Sequence, residues 1–288
     1  MSPDTAVSPG NILLFLGAVF GAIAAYARPV RDPHGPCARR PWERWDLPLS
    51  SFLLLLFFIL LVIRLAPAAG GALAELVRPG ATEDRRLHSI AATFLMQAGL
   101  VAVVLDAIRR RGWSVAGFFR PHGTSWAAAA RHSGHLFLRH LPLVWLVGLF
   151  WGGLLLGLRE LGVGIEPRPQ QAVLWIAESQ SLLFVAAMGL MVVLGAPFSE
   201  ELLFRAFLYR FLAERWSARF ALIVSGILFA LLHASLLSFL PLCFLGLLLA
   251  KIYEDTRDIR TPVLFHLYFN LFSFVNLLLL PEAPVPDR

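Results

Sequence analysis

The sequence predicts an all-α protein, a polytopic membrane bundle of about eight transmembrane helices. Three observations predict it. Of 288 residues, 58% are hydrophobic and only 15% charged, against about 45–50% apolar and about 25% charged in soluble domains. The mean hydropathy is +0.69, so there is too little polar side chain to cover a soluble globule. Apolar runs near the roughly 20 residues a spanning helix needs recur along the whole chain, separated by short stretches rich in Arg, Gly and Pro.

The runs place helices near 11–27, 49–66, 89–108, 141–158 and 172–195. A dense apolar block follows, divided near 199–214, 218–237, 239–253 and 263–280. Pro29, Pro33, Pro36 and Pro41 make 28–48 a loop. Gly70, Gly71, Pro79 and Gly80 mark a second break, and Gly112, Gly117, Pro121 and Gly123 a third. Pro197 reads as the start of a new helix with Ser199 as its N-cap. Thr261-Pro262 opens the last helix, with Pro in the first turn. Segment 113–133 mixes Trp113, Phe118, Phe119 and Trp126 with Arg and Gly, the pattern of a helix lying in the membrane interface. Run 12–27 ends in Ala25-Tyr26-Ala27 but follows a segment without Lys or Arg, so it reads as a retained first helix rather than a cleaved signal.

Net charge is +6, but the basic residues sit between apolar runs, where they orient a membrane protein rather than bind nucleic acid. Loop 28–48 carries Arg28, Arg31, Arg39, Arg40 and Arg44; segment 109–139 carries six more Arg. The positive-inside rule puts both on the cytoplasmic side and the N-terminus outside. Cys37 and Cys243 stand apart and form neither a disulfide framework nor a thiolate metal site.

Ionisable groups at membrane depth are expensive and mark functional candidates. Three apolar helices carry them. In Ser199-Glu200-Glu201-Leu202-Leu203-Phe204-Arg205, Glu201 and Arg205 are four apart and share a face. Glu200 points about 100° away, so one acid can be held as an ion pair while the other faces a cavity and accepts a proton from water. Phe229-Ala230-Leu231-Leu232-His233 brings one His. His266 and Asn270, four apart and about 6 Å along the axis, bring two hydrogen-bonding groups to one face. Such a pair can hold an oxyanion, help ligate a metal, or bind a neighbouring helix. Polar groups that cannot all face lipid converge inside the bundle, and the set reads as a hydrolytic site.

Here the chain resembles the CPBP (CAAX protease and bacteriocin-processing) intramembrane proteases, which include the type II CAAX prenyl endopeptidases. The signatures E-E-x-x-x-R, F-x-x-x-H and H-x-x-x-N/D appear in order as Glu200-Glu201…Arg205, Phe229…His233 and His266…Asn270. Segment Gly246 to Pro262, with Tyr253-Glu254-Asp255-Thr256-Arg257, resembles the family's link between its second and third motifs. The resemblance implies Glu200 as general base, His233 as the group orienting water, and His266 and Asn270 as oxyanion ligands, with Glu201, Arg205 and Phe229 in support. It favours no cofactor. The alternative is a divalent metal on Glu200, His233 and His266, although the H-E-x-x-H spacing of zinc peptidases is absent.

The chain divides into an N-terminal membrane region without a motif (1–170), a catalytic membrane core (171–281) and a tail (282–288). The expected partners are the lipid bilayer and a membrane-associated or exported protein substrate, with no nucleic acid. The expected location is a bacterial inner membrane. Rival site types fare worse. Asp106 stands alone where an aspartyl protease needs two aspartates, and Ser225-Gly226 lacks the first Gly of a rhomboid motif. A transporter, with Glu178 and Arg64 as further intramembrane charges, lacks an inverted repeat. A catalytically silent scaffold of the same fold is the remaining alternative.

Overall fold

The computed structural model describes residues 9–28, 46–77, 85–119 and 124–279. Most of loop 28–48, including Cys37, and the tail 282–288 lie outside them. Ten helices follow one another: α1 (Pro9–Ala27), α2 (Leu49–Val77), α3 (Arg85–Arg110), α4 (Val115–Phe118), α5 (Trp126–Glu160), α6 (Gln171–Ala177), α7 (Leu182–Arg215), α8 (Ala218–Leu232), α9 (Leu236–Thr256) and α10 (Arg260–Leu279). Seven are long and apolar enough to cross a membrane, and α8 is a shorter apolar helix of 15 residues. No strand occurs among the described residues. The bundle is the all-α, polytopic architecture that the composition predicts.

Large side chains such as Leu13, Phe57, Leu149, Phe150 and Leu182 point outward. Lipid tails are as apolar as Leu, so close packing rather than hydrophobicity holds such helices together. The interior is accordingly aromatic and tight: Phe52 stacks on Phe207 and Phe211, and Phe204 meets Phe229 edge to face. Small residues set the closest approach. At the α8–α9 crossing, a Cβ on Gly246 would lie 3.0 Å from Gly226 Cα. Gly246→Val is therefore expected to force the helices apart and reduce the yield of folded protein in detergent, read by size-exclusion chromatography.

Four element boundaries differ from those the sequence suggests. The helices expected at 172–195 and 199–214 are one, α7, running through Pro197. The chain accommodates this proline with a π turn over Met191–Gly195, in which the Ala196 N–H reaches the Met191 carbonyl. A π register would pair residue 197 with Val192, but proline has no N–H to give. Ser199 is consequently not an N-cap. It lies inside the helix, and its hydroxyl donates to the Gly195 and Ala196 carbonyls at 2.9 and 3.2 Å.

Segment 113–133 is not one interfacial helix. Among the described residues of this stretch, only the four of α4 are helical before α5 begins at Trp126, capped by Ser125, whose Oγ accepts from Ala128 N. α5 then continues through Pro142 to Glu160. The run expected from 172 breaks after α6. Glu178 sits exposed at that break, outside the span that begins at Leu182. Finally, α8 stops at Leu232, so His233 caps a helix end instead of lying within a helix; Ala234 follows with φ of 47° and Ser235 caps α9.

Candidate active site

The site is built where α7, α8 and α10 meet. Glu200 and Glu201 occupy successive positions on α7 just after its π turn, and a second π stretch, Leu202–Tyr209, follows immediately. π turns widen a helix locally and recur at functional sites. The two acids diverge as their spacing requires. Glu201 is fully buried and its Oε1 accepts from Arg205 Nη1 at 2.9 Å. Arg205, also fully buried, donates through Nη2 to the Gly246 carbonyl at 3.0 Å. Its guanidinium lies over the rings of Phe229 and Phe204, 4.9 and 5.6 Å from their centroids. This pair is thus shielded from lipid by aromatic faces and a backbone carbonyl.

Glu201 Oε1 has a second donor, His266 Nδ1 at 3.0 Å. Because the carboxylate can only accept, Nδ1 carries the hydrogen and Nε2 faces away. His233 is fixed in the same sense: its Nδ1 donates to the Phe229 carbonyl at 2.7 Å. Both Nε2 atoms turn toward Glu200, and each stands 4.0 Å from Glu200 Oε2. Glu200 Oε2 has no hydrogen-bond partner among the described residues. The Glu200 side chain is 25% exposed and that of His233 20%, whereas His266 is 3% exposed. One acid is therefore locked in an ion pair, and the other is open at the centre of two oriented imidazoles.

Phe229 explains why an aromatic residue precedes the His by four. Its ring packs against His233 and His266, with centroids 4.9 and 5.6 Å away, and under Arg205. Asn270 is placed near this set but is partly committed. Its Nδ2 donates at 2.8 Å to the Val192 carbonyl, the acceptor for which Pro197 supplies no N–H. The amide therefore ties α10 to the proline-induced turn that precedes Glu200, and one Nδ2 hydrogen remains. The Val192 carbonyl is partly buried, and leaving such a group unsatisfied costs up to about 1–3 kcal/mol. Asn270→Leu is expected to lower stability by an amount in that range, read as a fall in melting temperature in detergent.

The structure thus brings together Glu200, Glu201, Arg205, Phe229, His233 and His266, with Asn270 bound to the adjoining turn. Sequence reasoning missed two backbone groups of the site, the Val192 and Gly246 carbonyls. Pro197 was the available signal for the first; nothing in the sequence marks the second. Glu178 and Arg64 lie exposed and outside the cluster. Ser225 is buried in α8 beside the Gly226 crossing. Among the described residues, no group of three His, Cys, Asp or Glu side chains is placed to hold a metal ion.

A second polar cluster supports the opposite end of the same helices. Tyr209 donates to Glu254 Oε2 at 2.7 Å, and Glu254 also pairs with Arg257, which ends α9 in a left-handed conformation. Asp258 accepts from the Arg260 backbone N–H and side chain, and Arg260 reaches the Thr124 carbonyl at 2.9 Å. These contacts hold the segment Gly246 to Pro262 as the link that delivers His266 to α7.

Residues 182–272, which contain every motif residue, match the family model described as Type II CAAX prenyl endopeptidase Rce1-like. A relative in Bacillus subtilis (strain 168), described as "Putative membrane peptidase YdiL", is 30% identical over 114 residues, 40% of this chain and 45% of the relative. The match thus spans less than half of that relative's length. No solved structure matches the chain. Residues 182–272 are thus similar to the Rce1-like proteins that the three ordered motifs also indicate.

Proposed function

We propose that the protein is an intramembrane endopeptidase that hydrolyses a peptide bond of a membrane-associated protein with water activated by Glu200. The observation that carries this reading is the open carboxylate of Glu200, 4.0 Å from the Nε2 atoms of both His233 and His266 while its neighbour Glu201 is held by Arg205. Spacings of 4.0 Å are too long for direct hydrogen bonds and leave room for one shared water.

In this mechanism Glu200 removes a proton as the water oxygen bonds to the scissile carbonyl carbon. His233, with Nε2 turned toward Glu200, orients the water. The carbonyl oxygen becomes an oxyanion held by the remaining N–H of Asn270 and by the Nε2–H of His266 in its doubly protonated form. Protonated Glu200 then gives its proton to the leaving nitrogen as the C–N bond breaks. Glu201 and Arg205 position His266 and do not touch the reacting atoms. The chemistry requires no metal at any step.

The family likeness and the seven span-length helices support a multi-pass membrane peptidase. A transport path would need charged groups strung along the bundle; instead, Glu178 and Arg64 face outward. Glu178→Ala is accordingly expected to leave cleavage unchanged, which the same assay as below checks.

The test compares membrane and surface proteins of cells carrying wild type or Glu200→Ala, by mass spectrometry. Proteins that stay uncleaved only with the variant are the expected result. Matching proteomes, with both proteins stably inserted at equal levels, overturn the assignment.

A further inference from the structure

The seam between α1 and α5 carries a cluster of positive charge that the candidate active site does not use. Arg131, His135 and Arg139 are spaced four apart, so they line one face of α5 within an arc of about 80°. Arg139 lies over the Tyr26 ring, 5.1 Å from its centroid, near the end of α1. Arg28 follows two positions after Tyr26, and its charge acts on the His135 ring together with that of Arg139. Arg28 and Arg131 are exposed, and His135 and Arg139 are half-buried.

No acid answers these charges among the described residues. Arg110, Arg168, Arg205, Arg257 and Arg260 each pair with an Asp or Glu, whereas Arg28, Arg131 and Arg139 make no ion pair there. His135 Nε2 is buried and has no hydrogen-bond partner among the same residues. Cations held together without an acid repel one another, and an anion between them relieves that repulsion. Guanidinium groups offer paired N–H donors to phosphate oxygens, and the imidazole nitrogen adds one more polar contact.

The surface beyond the cluster is apolar. Gly21 brings α1 close to α5, since a Cβ there would lie 3.0 Å from Leu138 Cδ2. The helices run antiparallel along the seam: Tyr26 meets Arg139 at one end, and Phe15 stacks on Trp145 at the other. Tyr26 and Phe15 are eleven residues apart. That is about 16 Å along the axis, or half of the roughly 30 Å hydrocarbon core. Phe15 and Ile23 remain exposed along this stretch. Tyrosine at the end of a spanning helix sits at headgroup level, so the basic cluster lies at that depth and the apolar seam runs one leaflet deep.

We infer that this seam binds an anionic phospholipid, with its phosphate among Arg28, Arg131, His135 and Arg139 and an acyl chain along α1 toward Phe15 and Trp145. The lipid fastens α1 to α5 from outside. The site lies beyond residues 182–272, and the inference goes beyond the proteolytic reading without depending on it.

Native mass spectrometry of the lipid-depleted protein in detergent, titrated with dioleoyl phosphatidylglycerol or dioleoyl phosphatidylcholine, tests it. The anionic lipid is expected to bind about tenfold more tightly or better. Arg131→Gln, Arg139→Gln should weaken its binding by about thirtyfold, because the attraction of two basic residues is lost, and should leave phosphatidylcholine binding unchanged. Arg109→Gln, Arg219→Gln removes the same charge from exposed positions on α3 and α8 and should leave both lipids unaffected. Equal affinity for the two lipids, or equal losses in the two double variants, overturns the inference. So does glycerol phosphate that displaces the lipid at equal concentration, since the site would then take a free phosphate. Should the first double variant fail to fold, wild type decides the matter through a phosphatidylglycerol with a photoreactive diazirine on its acyl chain. Crosslinks to α1 or α5 between the Tyr26–Arg139 and Phe15–Trp145 contacts are expected, and crosslinks confined to other helices overturn the inference.

Discussion

Arg205→Ala is expected to be the most destabilising single substitution in the site. It removes the guanidinium that compensates Glu201 and leaves a carboxylate fully buried in the bundle with His266 as its remaining donor. Removing one partner of a buried ion pair costs about 3–5 kcal/mol, because the other charge remains uncompensated. It also frees the Gly246 carbonyl and exposes a space beneath Phe229. Thermal unfolding in detergent should show a large fall in melting temperature, with little folded protein recovered from membranes. Arg205→Lys should recover part of the stability, since an ammonium can reach one acceptor but not both in the same planar geometry. The double variant Glu201→Leu, Arg205→Met separates charge from packing. Replacing a buried pair by apolar residues is often neutral or stabilising, so this variant should fold better than Arg205→Ala while remaining inactive, because His266 loses its Glu201 acceptor. Equal instability of the single and double variants would contradict the stranded-charge explanation.

Glu200→Gln is expected to have the opposite signature, full stability and almost no activity. The amide keeps the shape of the side chain, and Glu200 Oε2 has no hydrogen-bond partner among the described residues that the change would remove. It cannot accept the proton from water. General base catalysis contributes typically about 10²–10⁴-fold, so cleavage should fall by at least that factor while the melting temperature stays near that of wild type. His233→Ala should fall similarly. Its ring contacts one face of Phe229 and its loss removes a hydrogen bond to the Phe229 carbonyl, so a modest loss of stability accompanies it. The contrast between Arg205 and Glu200, five positions apart on the same helix, distinguishes the residue that holds the site from the residue that performs the reaction.

Much of the site was legible because its key relations are local. Glu201 and Arg205 pair across one helical turn, and the divergence of Glu200 from Glu201 follows from helix geometry alone. Membrane burial supplied the rest, since few explanations other than convergence accommodate Glu, Arg, two His and Asn on apolar helices. The illegible parts are tertiary. Pro197 is a sound signal for a helix start, yet α7 passes through it because a π turn and the Asn270 amide from α10 manage the missing hydrogen bond. That contact joins residues 78 positions apart, which no local pattern reveals. The Gly246 carbonyl enters the site through the α8–α9 crossing in the same way. α5 begins earlier than hydropathy suggests because Arg131, His132 and His135 dilute its apolar character, although the helix simply extends through them. Glu178 looked intramembrane only because α6 and α7 read as one continuous run.

The most direct measurement is hydrolysis by the purified protein in heavy-oxygen water. Membranes from cells lacking the gene are fused with proteoliposomes of wild type or Glu200→Gln, and new peptide termini are identified by mass spectrometry. The account predicts new C-termini carrying oxygen from the solvent with wild type, in a defined set of membrane-anchored proteins, and their absence with Glu200→Gln. The same labelled termini with both proteins, or none with either while both are folded and inserted, would contradict Glu200-dependent hydrolysis in the membrane.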